Sequence, residues 1–153
     1  MSETMKRRLI QLVLLSFGLF RAEEIMATTP EQVVIAFQHD YKTWNDRAFQ
    51  QSQSHTAQER MLLAQKSWNE LLKKYTKPDF EGEPIAFGSE SSHDPEQEKI
   101  LSTNIKGHTA IVTTKLSQQY YSPVYEYHLF KQSNNWYLSQ IFLVDEDGKY
   151  PSL

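Results

Sequence analysis

Tyr125-Glu-Tyr-His-Leu-Phe-Lys-Gln-Ser-Asn-Asn-Trp-Tyr-Leu-Ser-Gln-Ile-Phe-Leu-Val-Asp-Glu-Asp-Gly148 is the stretch whose reading decides the fold. Apolar and polar residues alternate on both sides of Ser133-Asn134-Asn135, a tip made of residues that tolerate a tight turn. The segment therefore predicts two antiparallel strands, 122–131 and 136–144, closed by an acidic cap at Asp145-Glu-Asp-Gly148. Pro123 at the start of the first strand suits an edge or a bulge. Working toward the N-terminus, Ala110, Val112, Thr114 and Leu116 alternate with Ile111, Thr113 and Lys115, a β-branched run that follows the compact turn Lys106-Gly107-His108. Residues 97–105, around Ile100, Ser102 and Ile105, give the next strand, and 84–91 a short fifth.

Upstream of residue 77 the period changes. Thr29-Pro30-Glu31-Gln32 places a capping residue, a proline at the first helical position and a glutamine three residues after the cap. Val33, Phe37, Tyr41 and Trp44 then recur at helical spacing, so a helix is expected to about Phe49. Gln50–His55 reads as a polar connection. Thr56-Ala-Gln-Glu59 is a capping box, followed by a stripe of Met61, Ala64, Trp68, Leu71 or Leu72, and Tyr75. Lys73, Lys74 and Lys77 suit the C-terminal end of that helix, and Pro78 stops it. Helices first and antiparallel strands last make an α+β chain whose helices bury their aromatic faces on a sheet of about five strands. The spacing of Trp44 and Trp68 puts both in the core, whereas Trp136, opening a strand after a turn, fits core or interface equally.

The 153 residues, 39% hydrophobic and 23% charged, are sufficient for one domain with a substantial core. Cysteine is absent, which excludes disulfides, thiolate zinc sites, iron–sulfur clusters and a cysteine nucleophile. A net charge of −3 argues against a nucleic-acid partner, which normally requires a basic stripe. Residues 78–98 carry Asp79, Glu81, Glu83, Glu90, Asp94, Glu96 and Glu98 without a lysine or arginine, a segment that attracts a basic partner or simply keeps a loop solvated. His55, His93, His108 and His128 are scattered, and no Walker, nucleophile-elbow or dinucleotide glycine pattern occurs, so no metal and no cofactor are expected.

Residues 1–25 stand apart as a leader. Met5-Lys-Arg-Arg8 followed by the apolar run Leu9–Phe20 has the outline of a secretory signal or anchor, too short for a full membrane span. Gln11 interrupts the run, and Phe20-Arg21-Ala22 sets a bulky ring where cleavage wants a small residue. The alternative is a translational start at Met26, just before the first helix signal. Either way the single domain is expected over 27–153.

Three segments carry a family likeness: Thr29-Pro-Glu-Gln-Val-Val-Ile-Ala-Phe-Gln-His-Asp-Tyr-Lys-Thr-Trp-Asn45, Ser92-His-Asp-Pro-Glu-Gln-Glu-Lys-Ile100, and Asn135-Trp-Tyr-Leu138 through Asp147-Gly-Lys149. Together they resemble bacterial immunity proteins of the nuclear transport factor 2-like fold, over roughly residues 27–153. The resemblance implies a cone of helices on a curved antiparallel sheet, and a protein that sequesters a cognate toxin encoded by the adjacent gene. It implies no catalytic residues and gives no place to residues 1–25. A cytoplasmic site of action goes with the Met26 start, and a periplasmic or inner-membrane-anchored one with a genuine signal.

Which side chains meet a partner follows from the residues alone. Aromatic anchors with a charged rim are the expected pattern, and the candidates are Tyr120, Tyr121, Tyr125 and Tyr127 with Glu90, Asp94, Glu96 and Glu98. The open sheet face is a second candidate surface, for a homodimer. The contrasting reading is an isomerase, dehydratase or cyclase of the same fold, with Asp40 or His39 on the first helix and Tyr120, Tyr121, Tyr125, Tyr127 and His128 on the strands as its acids and bases.

Overall fold

A computed structural model describes residues 28–51 and 55–153. The expectations for the leader, residues 1–25, and for part of the polar connection, 52–54, lie outside the described residues. Helix α1 spans Pro30–Gln51 and α2 spans Ala57–Tyr75. The strands are β1 (Glu98–Lys106), β2 (Thr109–Leu116), β3 (Val124–Gln132), β4 (Asn135–Val144) and β5 (Lys149–Pro151).

Both helices begin where side chains can satisfy their orphan N–H groups. The Thr29 hydroxyl accepts from the Gln32 N–H, and the Gln32 side chain accepts from the Thr29 N–H. Thr56 and Glu59 repeat the exchange at α2. The aromatic stripes meet where α1 crosses α2. The Trp44 and Trp68 rings lie 4.7 Å apart, and the Trp44 indole N–H donates to the Ala64 carbonyl at 3.1 Å. Phe37, Val34, Val112, Leu138 and Ile141 are sealed between α1 and the sheet, and Trp136 joins them as a core residue. Met61 lies off the buried stripe, exposed on α2.

The strands follow one another as an antiparallel meander in the order β1-β2-β3-β4-β5, and the sheet is not closed. The β3–β4 hairpin turns at Ser133 and Asn134, both in the left-handed region with φ of 49° and 64°, the twist that a two-residue hairpin requires. The register slips between Ile100 and Ser102 and between His128 and Leu129, and such bulges bend a strand and increase its twist. The chain is thus α+β, with two helices covering one face of a five-stranded sheet.

The expected strand at 84–91 is not one. Its ladder bonds are replaced by the α1 side chain of Asn45, which donates to the Gly88 carbonyl at 2.9 Å and accepts from the Gly88 N–H at 3.0 Å. A single amide thus satisfies backbone groups that a sheet neighbour would otherwise take. The fifth strand is β5, a three-residue segment brought back beside β4 by the acidic cap. Asp145 accepts from the N–H groups of Asp147 and Gly148. Gly148 holds a φ of 153°, open to glycine and costly for other residues.

Candidate functional site

Two polar groupings are built on the segment that leads from α2 into β1. The inner one centres on Glu98, which is 2% exposed at the first position of β1. Its carboxylate lies 2.6 Å from the Thr114 hydroxyl, 2.7 Å from the Tyr127 hydroxyl and 2.9 Å from His93 Nδ1. The Tyr127 hydroxyl is in turn 2.8 Å from His93 Nδ1. The His93 tautomer with its proton on Nδ1 lets Thr114, Tyr127 and His93 all donate to the Glu98 carboxyl group. His93 Nε2 has no hydrogen-bond partner among the described residues. The imidazole is packed between the rings of Tyr41 and Tyr125, with centroids 4.8 Å and 4.7 Å away.

A buried carboxylate without a full set of donors would be costly. Here its charge is felt by every neighbouring phenol. The Tyr127 hydroxyl is held well above its ordinary range, first by burial and then by the Glu98 charge and hydrogen bond. Tyr125 is raised by burial and then by Glu98, and Tyr41 is also raised, chiefly by burial. Beside this network the Gln38 amide of α1 is buried, and its Nε2 is without a hydrogen-bond partner among the described residues.

The outer grouping is an open cleft of about 620 Å³ between α1, the 89–97 segment and the β2–β3 connection. Glu90 lies at its rim, and Tyr120 and Tyr121, 91% and 57% exposed, stand at its mouth. Asp94 forms part of the wall. One of its carboxylate oxygens accepts from the Glu96 N–H at 2.9 Å, and the other faces Lys42 Nζ at 3.2 Å. Lys42 also reaches Asp46, one helical turn along, at 3.5 Å. The hydrogen bond to Asp94 is the first cause of a raised Lys42 pKa. Asp94 also folds the segment, since its carbonyl accepts from the N–H groups of Gln97 and Glu98.

Of the eight residues expected to meet a partner, four line this cleft: Glu90, Asp94, Tyr120 and Tyr121. Glu96 is exposed but outside it. The expectation is corrected for Glu98, Tyr125 and Tyr127, which are drawn into the core because strand parity turns them toward the helices. Asp94 is buried too, yet its second carboxylate oxygen stays at the cleft wall. The period-two pattern contained this signal. Glu98 sits two residues before Ile100, which packs on the core, so both face inward. Nothing in the spacing of His93 indicated that it would join them.

The set expected for an enzyme does not assemble. Asp40 is paired with Lys74 and accepts from the Tyr75 hydroxyl at 2.7 Å. Burial acts to raise its pKa, but the Lys74 and Tyr75 bonds prevail and lower it, the wrong direction for a general base near neutrality. His39 is exposed on α1. His128 lies on the opposite face of β3 from Tyr125 and Tyr127, bonded to Glu126 at 2.9 Å. Among the described residues no three histidine or acidic side chains come together as metal ligands, and no helix is long and apolar enough to cross a membrane.

No family model matches the chain, nor does any curated protein or solved structure.

Proposed function

We propose that this domain is an immunity-type binding protein of the nuclear transport factor 2-like fold, which occludes a cognate bacterial toxin domain without turnover. The observation that carries the reading is the cleft mouth, where Glu90 and Asp94 share one opening with two exposed tyrosines. Exposed aromatic anchors beside carboxylates, Asp94 facing Lys42 and Glu90 without an ion-pair partner among the described residues, are the chemistry of a surface that receives a basic protein. Many toxins that act on nucleic acid are basic, and an acidic inhibitor takes the place of their substrate. We place neutralisation in the cytoplasm, with a periplasmic or inner-membrane-anchored site as the alternative if residues 1–25 are a genuine signal.

The test is binding to the toxin domain encoded by the adjacent reading frame. A one-to-one complex is expected by native mass measurement, with an association rate that falls as salt rises. A salt-insensitive rate removes the acidic steering, and a failure to form any complex removes the reading.

One observation favours a second reading, a small-molecule enzyme of isomerase, dehydratase or cyclase type. The His93 imidazole is held through Nδ1 by a buried carboxylate while Nε2 remains unbonded among the described residues, the arrangement of a general base. Against it, His93 is 3% exposed and enclosed by aromatic rings. Turnover of a small hydroxy or keto compound that is abolished by His93→Gln would favour the enzyme.

A further inference from the structure

We propose that the cleft receives a single arginine side chain of a protein partner, and that Lys42 is its built-in occupant, displaced from Asp94 when that arginine enters. This rests on the reading of the domain as a partner-binding protein and names the group the partner must present.

Asp94 is more than one member of an acidic run. Its side chain is 11% exposed, with one oxygen committed to the Glu96 N–H and the other directed at the cleft, where Lys42 supplies the cation. Lys42 carries its charge on a four-carbon stem, 38% exposed, and it keeps Asp46 as a second acceptor at 3.5 Å. Giving up Asp94 therefore leaves the ammonium paired, and the exchange of one cation for another at Asp94 costs little. Glu90, at the same rim, has no ion-pair partner among the described residues.

The rest of the cleft selects a guanidinium over an ammonium. A planar, weakly hydrated cation forms forked hydrogen bonds to carboxylates and lies flat on aromatic faces. The rings of Tyr120 and Tyr121 are exposed to receive it, and the Gln97 and Gln118 side chains line the same space. An anion would meet two carboxylates and a cation that is already paired. The 620 Å³ volume leaves room for backbone on either side of the inserted side chain.

The experiment is an amide NMR titration of the full chain with a blocked Gly-Arg-Gly peptide, its Gly-Lys-Gly counterpart, and a neutral isostere with citrulline in place of arginine. The arginine peptide is expected to shift amides of residues 89–97 and 117–121, the lysine peptide to bind more weakly, and the citrulline peptide to leave the spectrum unchanged. Lys42→Met is expected to tighten arginine-peptide binding about threefold, the scale of a partly exposed ion pair. Asp94→Asn retains the oxygen that accepts from Glu96 and is expected to weaken it by roughly tenfold or more. Equal binding of the citrulline peptide, or weaker binding by Lys42→Met, overturns the proposal. If the arginine peptide does not bind but the adjacent-gene toxin domain does, arginine docking falls while the immunity reading stands. Arginine-peptide binding without a toxin complex has the opposite consequence.

Discussion

Glu96 and Glu98 stand two residues apart in one acidic run, yet one is solvated and the other is 2% exposed. Tyr120 and Tyr127 differ in the same way, at 91% and 0%. The residue types are the same, and what separates them is whether the chain has joined the sheet. Once inside β1 and β3, parity carries Glu98 and Tyr127 under the helices, where each requires the other. Outside the strands, Glu90, Glu96, Tyr120 and Tyr121 have no such obligation and remain available for contact. The inner group stabilises the framework on which the outer group is displayed.

This contrast is open to direct test. Glu98→Ala leaves His93, Thr114 and Tyr127 without their common acceptor, and urea unfolding is expected to show a loss of several kcal/mol, about 1–3 kcal/mol for each buried donor left unpaired. Glu90→Ala is expected to stay within about 0.5 kcal/mol of the parent. Equal losses at the two sites would break the comparison. One step down, Tyr127→Phe keeps the ring and removes a buried donor, with an expected cost of about 1–3 kcal/mol by the same measurement. Tyr120→Phe is expected to cost nothing measurable.

Asn45→Ala sharpens the comparison from the side of the 84–91 segment. With both Gly88 backbone bonds gone, a loss of about 1–2 kcal/mol is expected, along with faster amide exchange at Gly88. Slow exchange there would mean that another group anchors the segment.

The smallest effect concerns the open face of the sheet. Glu126 is bonded to Lys149 at 2.8 Å and His128 at 2.9 Å. Burial acts to raise its pKa, but these partners lower it below the ordinary 4.5. A carboxylate depressed in the folded state contributes stability above its unfolded pKa, and that contribution fades as pH falls through the folded value. Glu126→Gln is therefore expected to lose about 1 kcal/mol near pH 7 and to show a shallower decline in acid. A decline as steep as the parent's would assign the acid sensitivity elsewhere.

The caps were the most legible part of the sequence, because Thr29 with Gln32 and Thr56 with Glu59 act within one turn of chain. The β3–β4 hairpin was equally plain, since parity and a tight turn are local properties. The 84–91 segment misread because its partner, Asn45, lies 43 residues away on a helix, and no local pattern reports such a bond. β5 escaped notice because three residues ending in proline carry no periodicity. At the site, the acidic and tyrosine-rich segments stood out by composition, but composition does not distinguish a buried carboxylate from a solvated one. Carrying the Ile100 parity back to Glu98 would have done so.

Recognition is proposed to reside in the cleft mouth, with the Glu98 network only supporting it. The most direct test is the affinity of Glu90→Lys/Tyr120→Ala/Tyr121→Ala for the adjacent-gene toxin domain, with unfolding followed on the same samples. A loss of about a hundredfold or more in affinity is expected, with an unchanged melting transition. Parental affinity in a variant that folds normally would contradict it.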